Sequence, residues 1–321
     1  MDIATFTFGS ERRDRDDERF AHDQSLRRHL PARILSHSDP MKLFLLLVTG
    51  FALLWAPLRA QDRETMTDRS LKQLVDRQKE LLADAAKDNP NFDTANFQMQ
   101  IEQVCRGYEE LLRANPKFAP GYAAYGYLLS KLDQKKQSIA MLMKANQLDP
   151  DLPLVKNEIG NYLAEQGKPL DAVAYYMAAI KLAPNEPLYH YQLGTLLHEA
   201  RDDFLKAGEW RQEAIDRAIH EAFRRAAELA PDRIEFTYRY AESFYDLDPP
   251  DWDAALKEWS TLELKAPTPV ERETMRLHSA NVLIKQGKID QARAMLATVT
   301  EAALAKQKEK LVAQLTPSAE K

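Results

Sequence analysis

Residues 119–152 read APGYAAYGYLLSKLDQKKQSIAMLMKANQLDPDL, and residues 153–186 follow without a gap as PLVKNEIGNYLAEQGKPLDAVAYYMAAIKLAPNE. Set one above the other, the two stretches repeat each other. Gly126 falls on Gly160, Leu129 on Leu163, Leu142 on Tyr176, Ala145 on Ala179 and Pro150 on Pro184. The period extends outward. Pro116, Pro150 and Pro184 are 34 residues apart, and Pro231 and Pro267 continue the series at intervals of 47 and 36. Gly194, Ala241 and Ala280 take the glycine's place in later units.

A repeat of this length fits a pair of antiparallel helices. Proline lacks an N–H and cannot continue a helix, so each one stops a helix or opens the next. In the second helix of each pair a small residue (Ser138, Ala172, Ala255, Ala292) precedes a large one (Leu142, Tyr176, Trp259, Leu296) by four positions. Ala145, Ala179, Leu262 or Val299 comes three later. These are i, i+4, i+7 places on one helical face. The third unit keeps Phe223 and Ala226 but has Ile219 at the small place, and it carries 13 extra residues around 199–212. A degenerate half-unit (Val104, Tyr108, Leu111, Pro116) precedes the series.

The pattern resembles the tetratricopeptide repeat family. Tyr122, Tyr125, Gly126, Leu129, Leu142, Ala145 and Pro150 carry the resemblance in the first unit. Ile159, Gly160, Leu163, Gly167, Ala172, Tyr176, Ala179 and Pro184 carry it in the second. The resemblance implies an all-α solenoid of about five helix-turn-helix repeats with capping helices, spanning roughly 100–300. Composition agrees: ten glycines and one cysteine in 321 residues disfavour Gly-looped enzyme folds and internal disulfides. A net charge of −5 gives no basic surplus for nucleic acid.

The N-terminus has a different character. Residues 1–40 carry charges of both signs without an apolar period. Met41-Lys42 then precedes an apolar run, 43–56, that ends at Pro57-Leu58-Arg59-Ala60. A basic start, a short apolar stretch and a small residue at its end make a secretory signal layout. The run is short of the roughly 20 apolar residues a spanning helix needs. The chain therefore divides into five parts. Residues 1–40 are a disordered extension, or lie upstream of a true start at Met41. Residues 41–60 are a signal peptide or short signal anchor, and 61–96 an N-terminal capping helix and linker. Residues 97–303 form the solenoid, and 304–321 a C-terminal helix and tail. The expected location is periplasmic or secreted after cleavage near Ala60, the alternative being a membrane anchor at 43–58.

No catalytic constellation stands out, and no cofactor or metal is expected. His190, His198, His220 and His278 show no metal-ligand spacing, and phosphate-loop, dinucleotide and nucleophile-elbow motifs are absent. Asp202, Asp203 and Glu209 read as solvated, helix-capping carboxylates. In the family the first helix of each pair lines a concave groove, so the resemblance implies binding of a peptide or protein segment there. Carried onto this chain, the groove places are Ala123, Tyr127 and Lys131; Asn157, Asn161 and Glu165; Tyr191, Thr195 and His198; Tyr238, Glu242 and Tyr245; and Leu277, Asn281 and Lys285. The tyrosines read either as exposed anchors for a peptide or as packing between units. Phe204 and Trp210, in the insertion, read either as a contact surface or as a local hydrophobic plug. The function expected is a non-enzymatic interaction scaffold or adaptor of the cell envelope. Self-assembly is one rival. An accessory envelope enzyme is another, with Glu165 and Glu242 as its only acid/base candidates.

Overall fold

Each proline of the series ends a helix by what it does to its predecessor. A residue before proline is driven out of the helical region. Asn115 (φ −132°, ψ 70°), Asp149 (φ −145°, ψ 104°), Ala183 (φ −138°, ψ 75°) and Ala230 (φ −139°, ψ 68°) all sit there, each at the end of a helix. Further prolines open the next helix, where the missing N–H costs nothing: Pro153, Pro169, Pro187 and Pro269.

The computed structural model describes residues 65–87, 92–208 and 210–315. The segments 1–40 and 41–60, with the apolar run 43–56, lie outside them, as does Glu209. The described elements are helices: α1 (Met66–Ala85), α2 (Thr94–Ala114), α3 (Ala119–Lys131), α4 (Lys135–Leu148), α5 (Pro153–Glu165), α6 (Pro169–Leu182), α7 (Pro187–Glu199), α8 (Arg201–Lys206), α9 (Gln212–Leu229), α10 (Ile234–Ser243), α11 (Trp252–Lys265), α12 (Pro269–Lys285), α13 (Ile289–Ala297) and α14 (Ala305–Gln314). Among the described residues no helix is long and apolar enough to cross a membrane. The elements fall into two bodies, 65–250 and 251–315.

The 65–250 body is a stack of helical hairpins. Its glycine column lets the two helices of each hairpin meet. A Cβ on Gly126 would stand 2.8 Å from Leu142 Cγ on α4, one on Gly160 2.9 Å from Tyr176 Cε1 on α6, and one on Gly194 2.8 Å from Phe223 Cε1 on α9. The small-then-large pattern of the second helices is the other half of that fit. Ser138, Leu142 and Ala145 are the buried residues of α4, and Ala172, Tyr176 and Ala179 those of α6. The Ser138 hydroxyl also donates to the Gly126 carbonyl at 2.8 Å. At the N-terminal end α1 starts in a capping box, Thr65 with Asp68, and packs Val75, Leu81 and Leu82 into a core with Ile101, Val104 and Tyr108 of α2. Gln78, buried there, accepts a hydrogen bond from the Tyr108 hydroxyl at 2.8 Å.

The 251–315 body is built on α12. Leu277, Ala280 and Leu283 of that helix pack with Ala292, Leu296 and Val299, and with Leu304, Leu311 and Leu315. Trp259 on α11 stacks on His278 with ring centroids 4.0 Å apart. Thr268 and Glu271 form a capping box at the start of α12. Glu273, one turn on, accepts from the Thr300 and Glu301 amides, each at 2.7 Å, and from the Thr300 hydroxyl at 2.8 Å. Burial pushes the Glu273 carboxyl up, but these donors and the Arg276 charge outweigh it and hold the group below the usual glutamate range.

Candidate functional site

Within the 65–250 body, polar contacts tie the first helices α3, α5 and α7 side by side. Ser130 of α3 reaches Glu158 of α5 at 3.3 Å, and Gln192 Nε2 of α7 donates to Asn161 Oδ1 of α5 at 3.0 Å. Tyr176 of α6 adds its hydroxyl to the same Asn161 oxygen at 2.7 Å. The face formed this way carries most of the groove places read from the sequence.

The structure sorts those places into open and covered. Lys131, Asn161, Thr195, His198 and Tyr245 are half-buried, and Glu165 is exposed and pairs with Lys135 at 2.9 Å. Lys131 lays its ammonium 4.9 Å from the centroid of the Tyr127 ring. Asn157 is fully buried, and so is Ala123. Tyr127, Tyr191 and Tyr238 are buried rather than exposed. Their large apolar rings go where the hairpins meet: Tyr191 stacks on Phe236 at 4.6 Å and tilts against Phe223 at 5.7 Å. Burial raises the Tyr127 and Tyr191 hydroxyls far above the usual tyrosine value, with Glu158 and Glu235 respectively adding to it. Glu242 is buried against the Arg239 guanidinium at 2.5 Å. Leu277 and Asn281 are buried and Lys285 is exposed in the 251–315 body.

Sequence reading missed Glu158 and Gln192, although a periodic signal marks them. They occupy the same repeat place as Ala124 in the first unit and Arg239 in the fourth. Ala124 is fully buried, so the column is a covered one. Ala, Glu, Gln and Arg in successive repeats therefore put polar groups where the repeat geometry expects small apolar ones.

Residues 119–152 and 155–186 match the model of the tetratricopeptide repeat family. The chain carries tetratricopeptide repeats. Two solved structures share the fold. One is YrrB, described as a TPR protein with an unusual peptide-binding site: 17% identity, TM-score 0.52, covering 65% of this chain and 96% of that one. The other is pilF of Pseudomonas aeruginosa: 14% identity, TM-score 0.52, covering 78% of this chain and 100% of that one. A comparison with curated proteins gives no match.

The third tetratricopeptide repeat holds the insertion, and here a surface reading gives way. Phe204 is 1% exposed and lies in the core with Leu197, Ile215 and Ile219, so it is a plug and not part of a contact surface. Trp210 is half-buried and meets it edge-on at 6.2 Å. Gly208, at φ +75°, makes the turn that sends the chain from α8 into α9. The repeat's missed polar feature is Arg201. Its guanidinium is buried between Asp216 (3.0 Å) and Asp246 (2.7 Å), which ties α8 to α9 and to the turn after α10. Burial raises the Asp216 carboxyl above the usual range, against the pull of Gln212 and Arg201. Asp202 and Asp203 sit in the first turn of α8. Among the described residues no group of three or more His, Cys, Asp or Glu side chains could hold a metal ion.

Proposed function

We propose that the chain is a non-enzymatic interaction scaffold or adaptor of the cell envelope, which holds a peptide or protein segment along the groove lined by its first helices. The observation that carries this reading is the alignment of α3, α5 and α7. Three consecutive repeats present one face, where the half-buried Asn161 and Gln192 can exchange their mutual hydrogen bond, and Lys131 its contact with the Tyr127 ring, for contacts with a partner. Groups held partly out of water and already oriented lose little entropy on binding. The peptide-binding site named for YrrB belongs to that protein, and its shared fold supports the same use here. The envelope placement rests on the 41–60 segment, read as a signal peptide cleaved near Ala60 or as an anchor at 43–58.

The test is a pull-down from cell-envelope extract. The control bait carries Lys131, Asn161 and Gln192 changed to Ala, since the buried tyrosines would disturb folding. A partner held by the wild type and lost by the control supports groove binding. Equal capture by both baits refutes it, and a mass that grows with concentration in the absence of any partner points to self-assembly.

A further inference from the structure

Glu158 is 4% exposed, and its surroundings do not balance it. A buried carboxylate is costly unless a cation or short hydrogen bonds compensate. Charge-assisted bonds to carboxylates run at roughly 2.5–2.9 Å. Glu158 has only long ones: Asn161 Nδ2 at 3.2 Å, Asn157 Nδ2 at 3.4 Å and Ser130 Oγ at 3.3 Å. The single Ser130 proton has a better acceptor in the Tyr127 carbonyl, at 2.8 Å. Among the described residues Glu158 has no ion-pair partner, whereas Glu165 and Glu242, on the same helix faces, each have one.

The neighbouring amides show which way the imbalance runs. Asn157 and Asn161 both turn their NH2 groups to the carboxylate, because a flipped amide would set its carbonyl against the negative charge. Gln192 spends its NH2 on Asn161. The carbonyl oxygens left over, Asn157 Oδ1 and Gln192 Oε1, are buried without a partner. Acceptors are in surplus and a donor is missing. Tyr127, Tyr176 and Tyr189, all buried, are near enough to feel the Glu158 charge. Aromatic faces attract cations, and the Tyr127 ring already holds the Lys131 ammonium. The seam reaches solvent through the half-buried Lys131, Asn161 and Gln192.

We infer that the α3–α5–α7 seam is a binding site for a cationic side chain, a lysine ammonium or arginine guanidinium, with Glu158 as its counter-charge and Asn157 Oδ1 and Gln192 Oε1 as further acceptors. The inference rests on the groove-binding reading and names the chemistry of the segment bound: basic rather than acidic. A guanidinium has five donors, enough in number for the carboxylate and both amide oxygens.

The test is an NMR titration of the full chain with N-acetyl-arginine amide and N-acetyl-lysine amide, with N-acetyl-glutamine amide as the neutral counterpart. Saturable shifts of the Glu158 carboxylate carbon and of the Asn157 and Gln192 side-chain amides are expected with the cations only. Glu158→Gln, which keeps the shape and removes the charge, weakens binding about thirtyfold or more, the loss seen when one partner leaves a desolvated charge pair. Glu110→Gln, exposed on α2 and outside the groove, binds as the wild type does. No saturable shift with either cation, or equal binding by Glu158→Gln, overturns the site. The two readings also fail separately. A partner lost with the Lys131/Asn161/Gln192 control but held equally by Glu158→Gln overturns the cation site and leaves the groove standing. Glu158-dependent cation binding with no partner captured upholds the site and removes the support for the groove.

Discussion

Gly194 and Phe223 show what one atom decides in this fold. A methyl group on Gly194 would lie 2.8, 2.9 and 3.1 Å from three carbons of the Phe223 ring, which is 1% exposed and has nowhere to retreat. Gly194→Ala should therefore cost about 1–3 kcal/mol, read as a lower denaturation midpoint, and Phe223→Leu in the same chain should recover part of the loss. A variant as stable as the wild type would mean that α7 and α9 can separate without cost. Glu158 predicts the opposite sign. Removing a buried charge that no cation balances, as in Glu158→Gln, should raise the stability of the unliganded chain by about 1–2 kcal/mol. The glycines were legible in the sequence because they recur at a fixed period beside large residues. Glu158 was less so, because an isolated Glu on a helix reads as solvated until Ala124, Gln192 and Arg239 are lined up with it. The tyrosines fell between: their places were readable, but whether a ring faces a ligand or a neighbouring hairpin depends on how tightly the units stack.

At the scale of elements, α8 is a short helix held in place by charge and one ring. Its six residues bury Arg201 and Phe204. Arg201→Ala would leave Asp216 and Asp246 facing each other without the guanidinium, a loss of about 3–5 kcal/mol for breaking a buried pair. Adding Asp216→Asn should recover a good part of it, because it removes the carboxylate that burial already disfavours. Equal losses in the single and double variants, measured by denaturant unfolding, would show that the charges are incidental to the packing of Phe204. The insertion was visible in the sequence as excess length, and Gly208 as its turn. The triad was not, because Asp246 lies 45 residues from Arg201 and only the return of α10 brings it close. In the 251–315 body, Glu273 joins α12 to the turn at Thr300 and gives a pH signature. Its folded carboxyl titrates below the ordinary glutamate value of 4.5. The contribution is thus complete above that value and is lost as pH falls through the lower, folded one. The wild type should lose stability on acidification over that window more steeply than Glu273→Gln, and parallel curves would remove the role.

For the whole molecule, the question is where the repeats work, and the answer turns on residues 41–60. The run 43–56 is apolar but only 14 residues long, follows Lys42 and ends near Ala60. A spanning helix wants roughly 20 apolar residues, whereas the core of a secretory signal needs about 7–15. Under the proposed signal reading, cleavage near Ala60 would leave a chain that starts close to Gln61, ahead of the Thr65–Asp68 capping box that opens α1. That position has a physical consequence. The capping box satisfies the Thr65 and Asp68 N–H groups from within the first turn of α1, so these two groups need no partner from residues upstream of Thr65. Expressed with its native N-terminus and recovered from the envelope fraction, the protein should show an intact mass beginning at or close to Gln61 and should be released without detergent. A species that keeps 43–58 and leaves the membrane only with detergent would replace the free adaptor with an anchored one, its groove held near the bilayer. A full-length chain recovered from the cytosol would remove the envelope from the proposal while leaving the groove chemistry proposed for Glu158 untouched, because its neighbours all lie between α3 and α7.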